Sequence, residues 1–218
     1  MSQAQNPGQG MPTTGVLQSW ASRLQQMTLE AEKNQAAGAV TPAYRANRDE
    51  IIDLLNRALA SEWASFLQYW HHYTMASDIH SVEVREVWKE HAEDEYKHAR
   101  TFNERINQLG GVPANSPKKI EQLTPTPFTE GHDLRSMIEA DLVGERATIQ
   151  FYNDVVRTCG FDDNETRTML EDVLLEENEH ANELANLLFQ FDASTGKEIP
   201  TYHQEAMQQL AQQRRAAA

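Results

Sequence analysis

The chain has 218 residues, of which 39% are hydrophobic and 24% charged, and its formal net charge is −14. This length and apolar fraction predict one main domain with a sizeable core and argue against wholesale disorder. Neutralising phosphates requires clustered Lys and Arg, so the excess of 33 acidic over 19 basic residues argues against a nucleic-acid partner. The informative carboxylates are those that interrupt apolar helix faces.

Cysteine content and hydropathy indicate where we expect the protein to work. Cys159 is the single cysteine, so the chain cannot form an intramolecular disulfide framework, and a reducing compartment fits. The N-terminus carries no basic segment followed by an apolar one, and no window approaches about 18 consecutive apolar residues. We therefore expect a cytoplasmic protein without a signal peptide or a membrane segment.

The first 46 residues are predicted to be an N-terminal extension. Residues 1–15 are rich in Gln, Gly and Pro, which predicts a disordered tail. Residues 16–37 predict a short amphipathic accessory helix that ends at Gly38. Its apolar positions at helical spacing are Leu17, Trp20, Leu24 and Met27.

Four long segments with helical periodicity follow, over about 47–75, 81–109, 132–158 and 162–191. Gly110 and Gly111 are expected to end the second segment, since Gly tolerates the left-handed conformation that follows many helices. Asp162 and Glu165 form a variant of the capping box at the start of the fourth. No segment shows the alternation of a strand, so the fold class is all-α. Residues 192–218 are a C-terminal tail with room for one short helix.

The lengths of the connections predict the topology. The first two segments, and the last two, are joined by a few residues each, so each pair is predicted to be an antiparallel hairpin. About 22 residues, 110–131, join the two hairpins and show no periodic pattern. Extended, they could reach about 70 Å, which exceeds the roughly 40 Å length of a 27-residue helix. We therefore predict a ferritin-like four-helix bundle over residues 47–191, with one long crossover.

Glutamate and histidine residues interrupt the apolar face of each segment at matching positions. Glu62 lies in the first segment and Glu145 in the third, whereas the second and fourth carry Glu-x-x-His motifs at Glu95–His98 and Glu177–His180. Glu95 follows Glu62 by 33 residues, and Glu177 follows Glu145 by 32. In an antiparallel hairpin, these separations place the two members of each pair at the same depth. The chain thus contains two copies of one unit.

Four Glu and two His at one level of a bundle predict a site for two metal ions. Burying four carboxylates without cations would be very costly, whereas two divalent ions balance their charge. Mixed carboxylate and imidazole ligands suit iron or manganese, and zinc can compete. A single Glu-x-x-His motif is usually a solvated helix face, but two copies at matched depth favour the metal site.

At these residues the chain resembles the ferritin-like superfamily, and within it the bacterioferritins most closely. The resemblance covers about residues 47–191 and rests on the run from Glu62 to Gln68-Tyr69, on Asp94-Glu95-Tyr96-Lys97-His98-Ala99, on Asp141-Leu142-Val143-Gly144-Glu145 and on Glu177-x-x-His180. It implies that Glu95 and Glu177 bridge two irons. It further implies that Glu62 and His98 complete one iron site and that Glu145 and His180 complete the other. Tyr69 would lie beside the site as a hydrogen-bond donor and electron source, although a purely structural aromatic residue fits the sequence equally well.

The chain also departs from the bacterioferritin pattern. Tyr96 stands where that family places the methionine that binds haem, so no haem of that kind is expected. Glu90 stands at the position of a pore histidine, although the adjacent His91 could replace it. The N-terminal extension has no counterpart in the family pattern.

The resemblance implies a ferroxidase that oxidises Fe(II) with O₂ or H₂O₂ and stores or detoxifies Fe(III) inside a homo-oligomeric cage of the bacterioferritin or Dps type. One alternative keeps the metal pair but changes the reaction to that of a hydroxylase, a rubrerythrin-like peroxidase or a manganese catalase. Another is a metal-binding interaction protein without enzymatic activity. Subunit number, native metal and the role of the extension stay open at this point.

Overall fold

The computed structural model describes residues 14–38, 40–76 and 82–195. These residues form six α-helices and no strand: α1 (Thr14–Lys33), α2 (Arg48–Met75), α3 (Val82–Gln108), α4 (Pro117–Leu123), α5 (Leu134–Cys159) and α6 (Asn164–Thr195). The all-α prediction is confirmed. None of the described helices is both long and apolar enough to cross a membrane. Of the predicted tails 1–15 and 192–218, residues 1–13 and 196–218 lie outside the described residues. The remaining tail residues are helical, because α1 already begins at Thr14 and α6 continues past the predicted end at residue 191.

The chain divides into two compact units, Met1–Tyr44 and Arg45–Ala218. The first contains α1 and a single 3₁₀ turn at Gln35–Ala37, where a continuous helix to residue 37 was predicted. The apolar stripe of α1 is exposed at Trp20, Leu24 and Met27.

In the second unit, α2, α3, α5 and α6 form a four-helix bundle whose adjacent helices are antiparallel. Contacts along α2 and α3 run in opposite directions, since His72 meets Trp88 whereas Glu62 meets His98. The other three pairs of adjacent helices are antiparallel for the same reason. For α5 and α6 the contacts are Arg135–Asp192 and Glu145–His180, and for α2 and α5 they are Gln68–Asp141 and Ser61–Thr148. For α3 and α6 they are His91–Glu183 and Arg105–Thr166. Consequently α3 and α5 run parallel, as the long crossover predicts. The ferritin-like bundle with two hairpins is confirmed.

The crossover contains a short helix that periodicity did not predict. Ser116 caps α4 by accepting a hydrogen bond from the backbone N–H of Lys119, and Pro117 occupies the first helical turn. Proline is favoured there because its missing N–H would have no partner in the helix. The helix packs against α2. Seven residues are too few for periodicity, although the Ser-Pro start signal is present.

Local sequence signals set the other helix ends. Gly110 adopts a φ of +77° after α3, and the N–H of Gly111 donates to the carbonyl of Ile106, so the predicted glycine stop is confirmed. The predicted cap of α6 is displaced by one residue. Asp163, not Asp162, accepts the backbone N–H of Thr166.

The core of the bundle surrounds a polar layer at mid-height. Burying a large apolar side chain contributes roughly 1.5–3 kcal/mol each, so the apolar layers above and below stabilise the costly polar layer between them. The largest fully buried side chains include Trp88, Ile138 and Leu184 towards one end and Leu55, Phe102, Ile106 and Leu170 towards the other.

A second buried polar group attaches the crossover to the bundle. Asp141 accepts a hydrogen bond from Gln68 at 2.8 Å, and its other oxygen lies 2.8 Å from His72 Nδ1. Gln68 accepts the backbone N–H of Thr129 at 2.7 Å, and His72 Nε2 lies 3.0 Å from the carbonyl of Thr129. Burial raises the pKa of Asp141, although the hydrogen bonds to its oxygens oppose this shift. Both the backbone N–H and the backbone carbonyl of Thr129 are therefore fixed against the bundle.

Candidate metal centre

The structure brings together all six side chains that the sequence predicts as metal ligands. Each is at most 4% exposed, and together they form the polar layer at the middle of the bundle. Helical spacing places both members of a Glu-x-x-His motif on one face of α3 or of α6. The six are Glu62, Glu95, His98, Glu145, Glu177 and His180.

These residues form two overlapping groups, each compact enough to hold one ion. The first cluster is Glu62, Glu95, His98 and Glu177, and the second cluster is Glu95, Glu145, Glu177 and His180. Within each cluster, one donor atom of every residue lies within 4.8 Å of the others. Glu95 and Glu177 belong to both clusters. The structure thus places the two glutamates of the Glu-x-x-His motifs between two candidate positions.

Distances around the two imidazoles define the inner faces of the clusters. His98 Nδ1 lies 3.2 Å from Glu62 Oε2 and 3.2 Å from Glu177 Oε1. His180 Nδ1 lies 3.5 Å from Glu95 Oε1 and 3.7 Å from Glu145 Oε1. Both rings therefore turn Nδ1 towards the carboxylates of the two clusters.

The outer nitrogen of each ring faces a further carboxylate. His98 Nε2 lies 2.9 Å from Glu176 Oε2, and His180 Nε2 lies 3.6 Å from Asp94 Oδ2. A histidine that binds a metal commonly donates its other N–H to a carboxylate, which fixes the tautomer and leaves the inner nitrogen free. Burial opposes protonation of His180, yet its contacts with Glu145 and neighbouring carboxylates raise its pKa to about 10.

Electrostatics within the layer favour a bound cation. Burial raises the pKa of Glu62 and of Glu177 well above the usual carboxyl range, and the nearby charge of Glu95 adds to both shifts. Burial acts in the same direction on Glu95, but hydrogen bonds to its oxygens, first from Glu62, outweigh it and lower its pKa. Without metal, the layer therefore shares protons among carboxylates that cannot all be ionised.

The donor set fits a pair of divalent ions. Glu95 Oε1, Glu177 Oε1 and His180 Nδ1 are buried and form no hydrogen bond within the described part of the chain. Buried polar atoms are almost always hydrogen-bonded, so three such atoms in one layer fit the binding of a cation. Two divalent ions would balance four carboxylates, and oxygen and imidazole donors suit iron, manganese or zinc.

Two tyrosines complete the layer, and sequence reasoning found one of them. Tyr69 donates a hydrogen bond to Glu145, and Tyr152 donates one to Glu62. Burial raises the pKa of both phenols, so both act as neutral donors. Tyr152 follows Glu145 by seven residues, just as Tyr69 follows Glu62. This repeat is the signal that could have identified Tyr152, which looks like an ordinary core aromatic in its apolar stripe.

Glu62 and Glu145 each belong to one cluster only and are called the terminal carboxylates here. Removing the hydroxyl of Tyr69 or Tyr152 is expected to loosen one of them without removing a metal ligand. Tyr69→Phe should weaken Zn²⁺ binding about 10–100-fold through Glu145, the range typical for partners of metal ligands, and Tyr152→Phe should do the same through Glu62. Competition titration with a chelator measures both constants. Phe151→Leu, beside Tyr152 but only partly buried, is the control and should leave them unchanged. Unaltered Zn²⁺ affinity in both tyrosine variants would contradict this role.

Tyr96, which departs from the bacterioferritin pattern, and His91, which could replace its pore histidine, lie in different environments. Tyr96 is 46% exposed on the outer face of α3, where its ring contacts Trp63 and Phe66. His91 is buried, and its ring lies against that of His180. The sequence placed His91 only next to a pore position, whereas the structure places it beside the second cluster.

Fold and site together define a ferritin-like helical bundle with a buried Glu/His layer. The chain belongs to the family of ferritin-like domains, whose family model matches residues 52–193. The predicted membership of the ferritin-like superfamily is confirmed. At the level of the family, this membership supports a role in iron storage or ferroxidase chemistry.

Individual relatives agree with this assignment. The chain is 30% identical over 183 residues to a nutrient stress-induced DNA-binding protein of Synechococcus sp., covering 82% of this chain and 96% of the relative. It is 28% identical to a dodecameric thioferritin of Bacteroides fragilis, described as bacterioferritin-related, with a TM-score of 0.67 over 69% of this chain and 91% of that one. It is 25% identical to the bacterioferritin of Rhodobacter capsulatus, whose structure is described with a metal-free dinuclear site and haem iron. That match has a TM-score of 0.61 and covers 68% of this chain and 89% of the other.

Proposed function

We propose that this protein is a di-iron ferroxidase that oxidises Fe(II) and keeps the Fe(III) product inside a homo-oligomeric cage. The observation that carries the proposal is the pair of buried clusters that share Glu95 and Glu177. Two positions bridged by two carboxylates hold a pair of ions close together, which suits a reaction that needs two electrons at once. The bacterioferritin of Rhodobacter capsulatus, with its dinuclear site, supports the same assignment.

The chain's own residues bind and orient the substrate ions in this proposal. Glu62 and His98 would complete the first position, and Glu145 and His180 the second. An iron pair supplies one electron from each Fe(II) to O₂, which takes up two electrons and two protons to give H₂O₂. Tyr69 and Tyr152 hold the two terminal carboxylates, and the apolar layers on both sides exclude bulk water.

The proposed cage is supported by an apolar outer surface on the bundle. Leu67, Trp70 and Tyr96 are each about half exposed, and the ring of Phe66 contacts those of Trp63 and Trp70 along α2. Exposed apolar patches of this kind mark protein–protein interfaces. The thioferritin relative is described as dodecameric, which supports a closed assembly for this chain as well.

The Synechococcus relative is named as a DNA-binding protein, but the net charge of this chain argues against DNA binding here. A net charge of −14 disfavours contact with phosphates, and the pair Arg214-Arg215 lies outside the described residues. The expectation of no nucleic-acid partner stays a prediction. In a mobility-shift assay at physiological salt, the protein should leave duplex DNA unshifted at micromolar concentration, and a shift would contradict it.

Oxygen consumption tests the proposed reaction. Protein sized by gel filtration is loaded anaerobically with two Fe(II) per subunit and then exposed to air. The proposal predicts rapid O₂ uptake, followed on repeated additions by retention of hundreds of irons in a large assembly. No O₂ uptake would favour the interaction protein, whereas uptake that stops at two irons in a small oligomer would favour a hydroxylase or peroxidase.

A bound metal should stabilise the fold, and a neutral side chain in place of Glu177 should partly substitute for this stabilising effect. Glu177→Gln is expected to raise the stability of the metal-free protein, on the order of 1 kcal/mol, because the buried amide is neutral without having to take up a proton. Burial raises the pKa of Glu177, so above about pH 4.3 the unfolded carboxyl is ionised while the folded one keeps its proton. The gain should therefore grow as pH rises above this value, until the folded carboxyl also ionises. The same variant should lose most of the stabilisation by Zn²⁺, which is about 2.7 kcal/mol at 100 times Kd. Thermal unfolding with and without Zn²⁺ measures both effects, and a variant less stable than the parent without metal would contradict the first.

A further inference from the structure

We infer that His91 is a third imidazole ligand of the site and that it binds the ion held by Glu145 and His180. This inference rests on the proposed function, because it assigns one more ligand to the same metal pair. It makes the two metal positions chemically unequal. None of the sequence motifs that predict the other six ligands includes His91.

The position of His91 places its imidazole within reach of the second cluster. It lies on α3, four residues before Glu95 and therefore one helical turn away on the same face. The residue is 2% exposed. Its ring stacks on that of His180, with centroids 3.9 Å apart and an interplanar angle of 26°. The ring of Tyr69 is nearly perpendicular to it, with centroids 5.2 Å apart.

Hydrogen bonding leaves one nitrogen of His91 available to a metal. Nε2 lies 2.9 Å from Glu183 Oε2 at the outside of the bundle. Nδ1 is buried and forms no hydrogen bond within the described ranges. A neutral imidazole that donates from Nε2 keeps a lone pair on Nδ1, so the buried nitrogen is the one that can bind a cation.

This arrangement repeats that of the two predicted histidine ligands. His98 faces Glu176 with Nε2, and His180 faces Asp94 with Nε2, while both turn Nδ1 inwards. His91 has the same outer carboxylate contact, with Glu183 as the partner. The combination of an outer carboxylate and a free inner nitrogen is typical of metal-bound histidine. A histidine that served only to fill the core would need neither feature.

Donor distances assign His91 to one of the two positions. One donor atom each from His91, Glu145 and His180 lies within 4.8 Å of the others, and this group shares two members with the second cluster. Two imidazoles and one carboxylate form a donor set that suits zinc, iron and cobalt. The first cluster has a single imidazole, His98, among three carboxylates.

The two positions should therefore fill in a fixed order. Borderline metals such as Zn²⁺ prefer nitrogen-rich sites more than hard, oxygen-preferring cations do. The first equivalent of Zn²⁺ should enter the position of Glu145, His180 and His91, and the second equivalent should enter the position of Glu62 and His98. Without His91, the two positions would offer equal donor sets and lose this order.

Substitution of His91 by Phe tests the assignment while keeping a ring stacked on His180. The partner Glu183 is 55% exposed, so it can be solvated when the imidazole is absent. We expect His91→Phe to weaken binding of the first Zn²⁺ equivalent at least about tenfold in a chelator competition titration and to leave the second nearly unchanged. His132→Phe is the matched control because His132 is exposed and distant from the clusters, and it should bind both equivalents like the parent.

The outcomes separate this inference from the proposed function. If the parent binds two Zn²⁺ per subunit and His91→Phe binds both with unchanged affinity, the inference is wrong and the metal pair stands. If the parent binds no Zn²⁺ pair, the proposed function fails and the inference fails with it. Should His91→Phe not fold, anomalous diffraction from parent crystals with one Zn²⁺ per subunit decides. A peak about 2.0–2.1 Å from His91 Nδ1 supports the inference, and a peak near Glu62 and His98 overturns it.

Discussion

Glu95→Ala protein is expected to lose the metal pair and to oxidise Fe(II) at least about 100-fold more slowly than the parent. Glu95 belongs to both clusters, so its removal takes one ligand from each position. Losing even a hydrogen-bond partner of a ligand typically costs 10–100-fold in metal affinity, and a shared ligand should cost more. Zn²⁺ stoichiometry by competition titration and initial O₂ uptake with Fe(II) measure the two effects. Glu177→Ala should behave in the same way.

Controls for this result come from the same helix and from the unshared ligands. Glu93→Ala removes an exposed carboxylate two residues from Glu95 and should leave metal binding unchanged. His98→Ala should weaken the first position alone, and His180→Ala should weaken the second alone. A Glu95→Ala variant that binds two ions and oxidises Fe(II) at the parental rate would contradict the assignment of the shared ligands.

Arg105→Ala is expected to destabilise the bundle strongly although it lies outside the metal layer, at about 3–5 kcal/mol. Arg105 joins the end of α3 to the start of α6, with Nη2 2.8 Å from Asp163 and Nε 2.7 Å from Thr166. All three residues are buried, so truncation removes the buried cation that lies beside the Asp163 carboxylate. Breaking a buried ion pair costs more than the pair contributes, because the remaining charge stays desolvated.

Thermal and denaturant unfolding should show the Arg105 effect as a lower midpoint, on the order of 10 °C in Tm. Arg100→Ala on the same helix is the matched control, since Arg100 is 63% exposed and its contact with Glu104 is 4.0 Å. The control should change stability by less than about 0.5 kcal/mol. Equal midpoints for the two variants would show that the Arg105 network does not stabilise the bundle.

The sequence contains enough information to predict the six clustered side chains because each one violates an apolar helical stripe. Glu62 and Glu145 could not face the core without a compensating charge, and their nearly equal distances to the Glu-x-x-His motifs, 33 and 32 residues, placed them at one depth. Topology followed from connection lengths alone, because short links force antiparallel hairpins. These features are local or periodic, and periodicity is the strongest signal that a single sequence carries.

Features that depend on contacts between helices were not predictable in this way. Tyr152 fits its apolar stripe as a core residue, and only packing of α5 on α2 brings its hydroxyl to Glu62. Asp141 and His72 look like surface groups until the crossover covers them at Thr129. His91 has no motif of its own, and the α3–α6 contact with His180 defines its environment.

The proposed function depends on two metal ions that share Glu95 and Glu177 at the middle of the bundle. Anomalous diffraction from crystals saturated with Zn²⁺ would locate these ions. Two peaks per subunit are expected, each within about 2.0–2.2 Å of an oxygen of Glu95 or Glu177, one beside His98 and the other beside His180. A single peak, or peaks only at surface carboxylates, would show that Glu95 and Glu177 do not hold a metal pair.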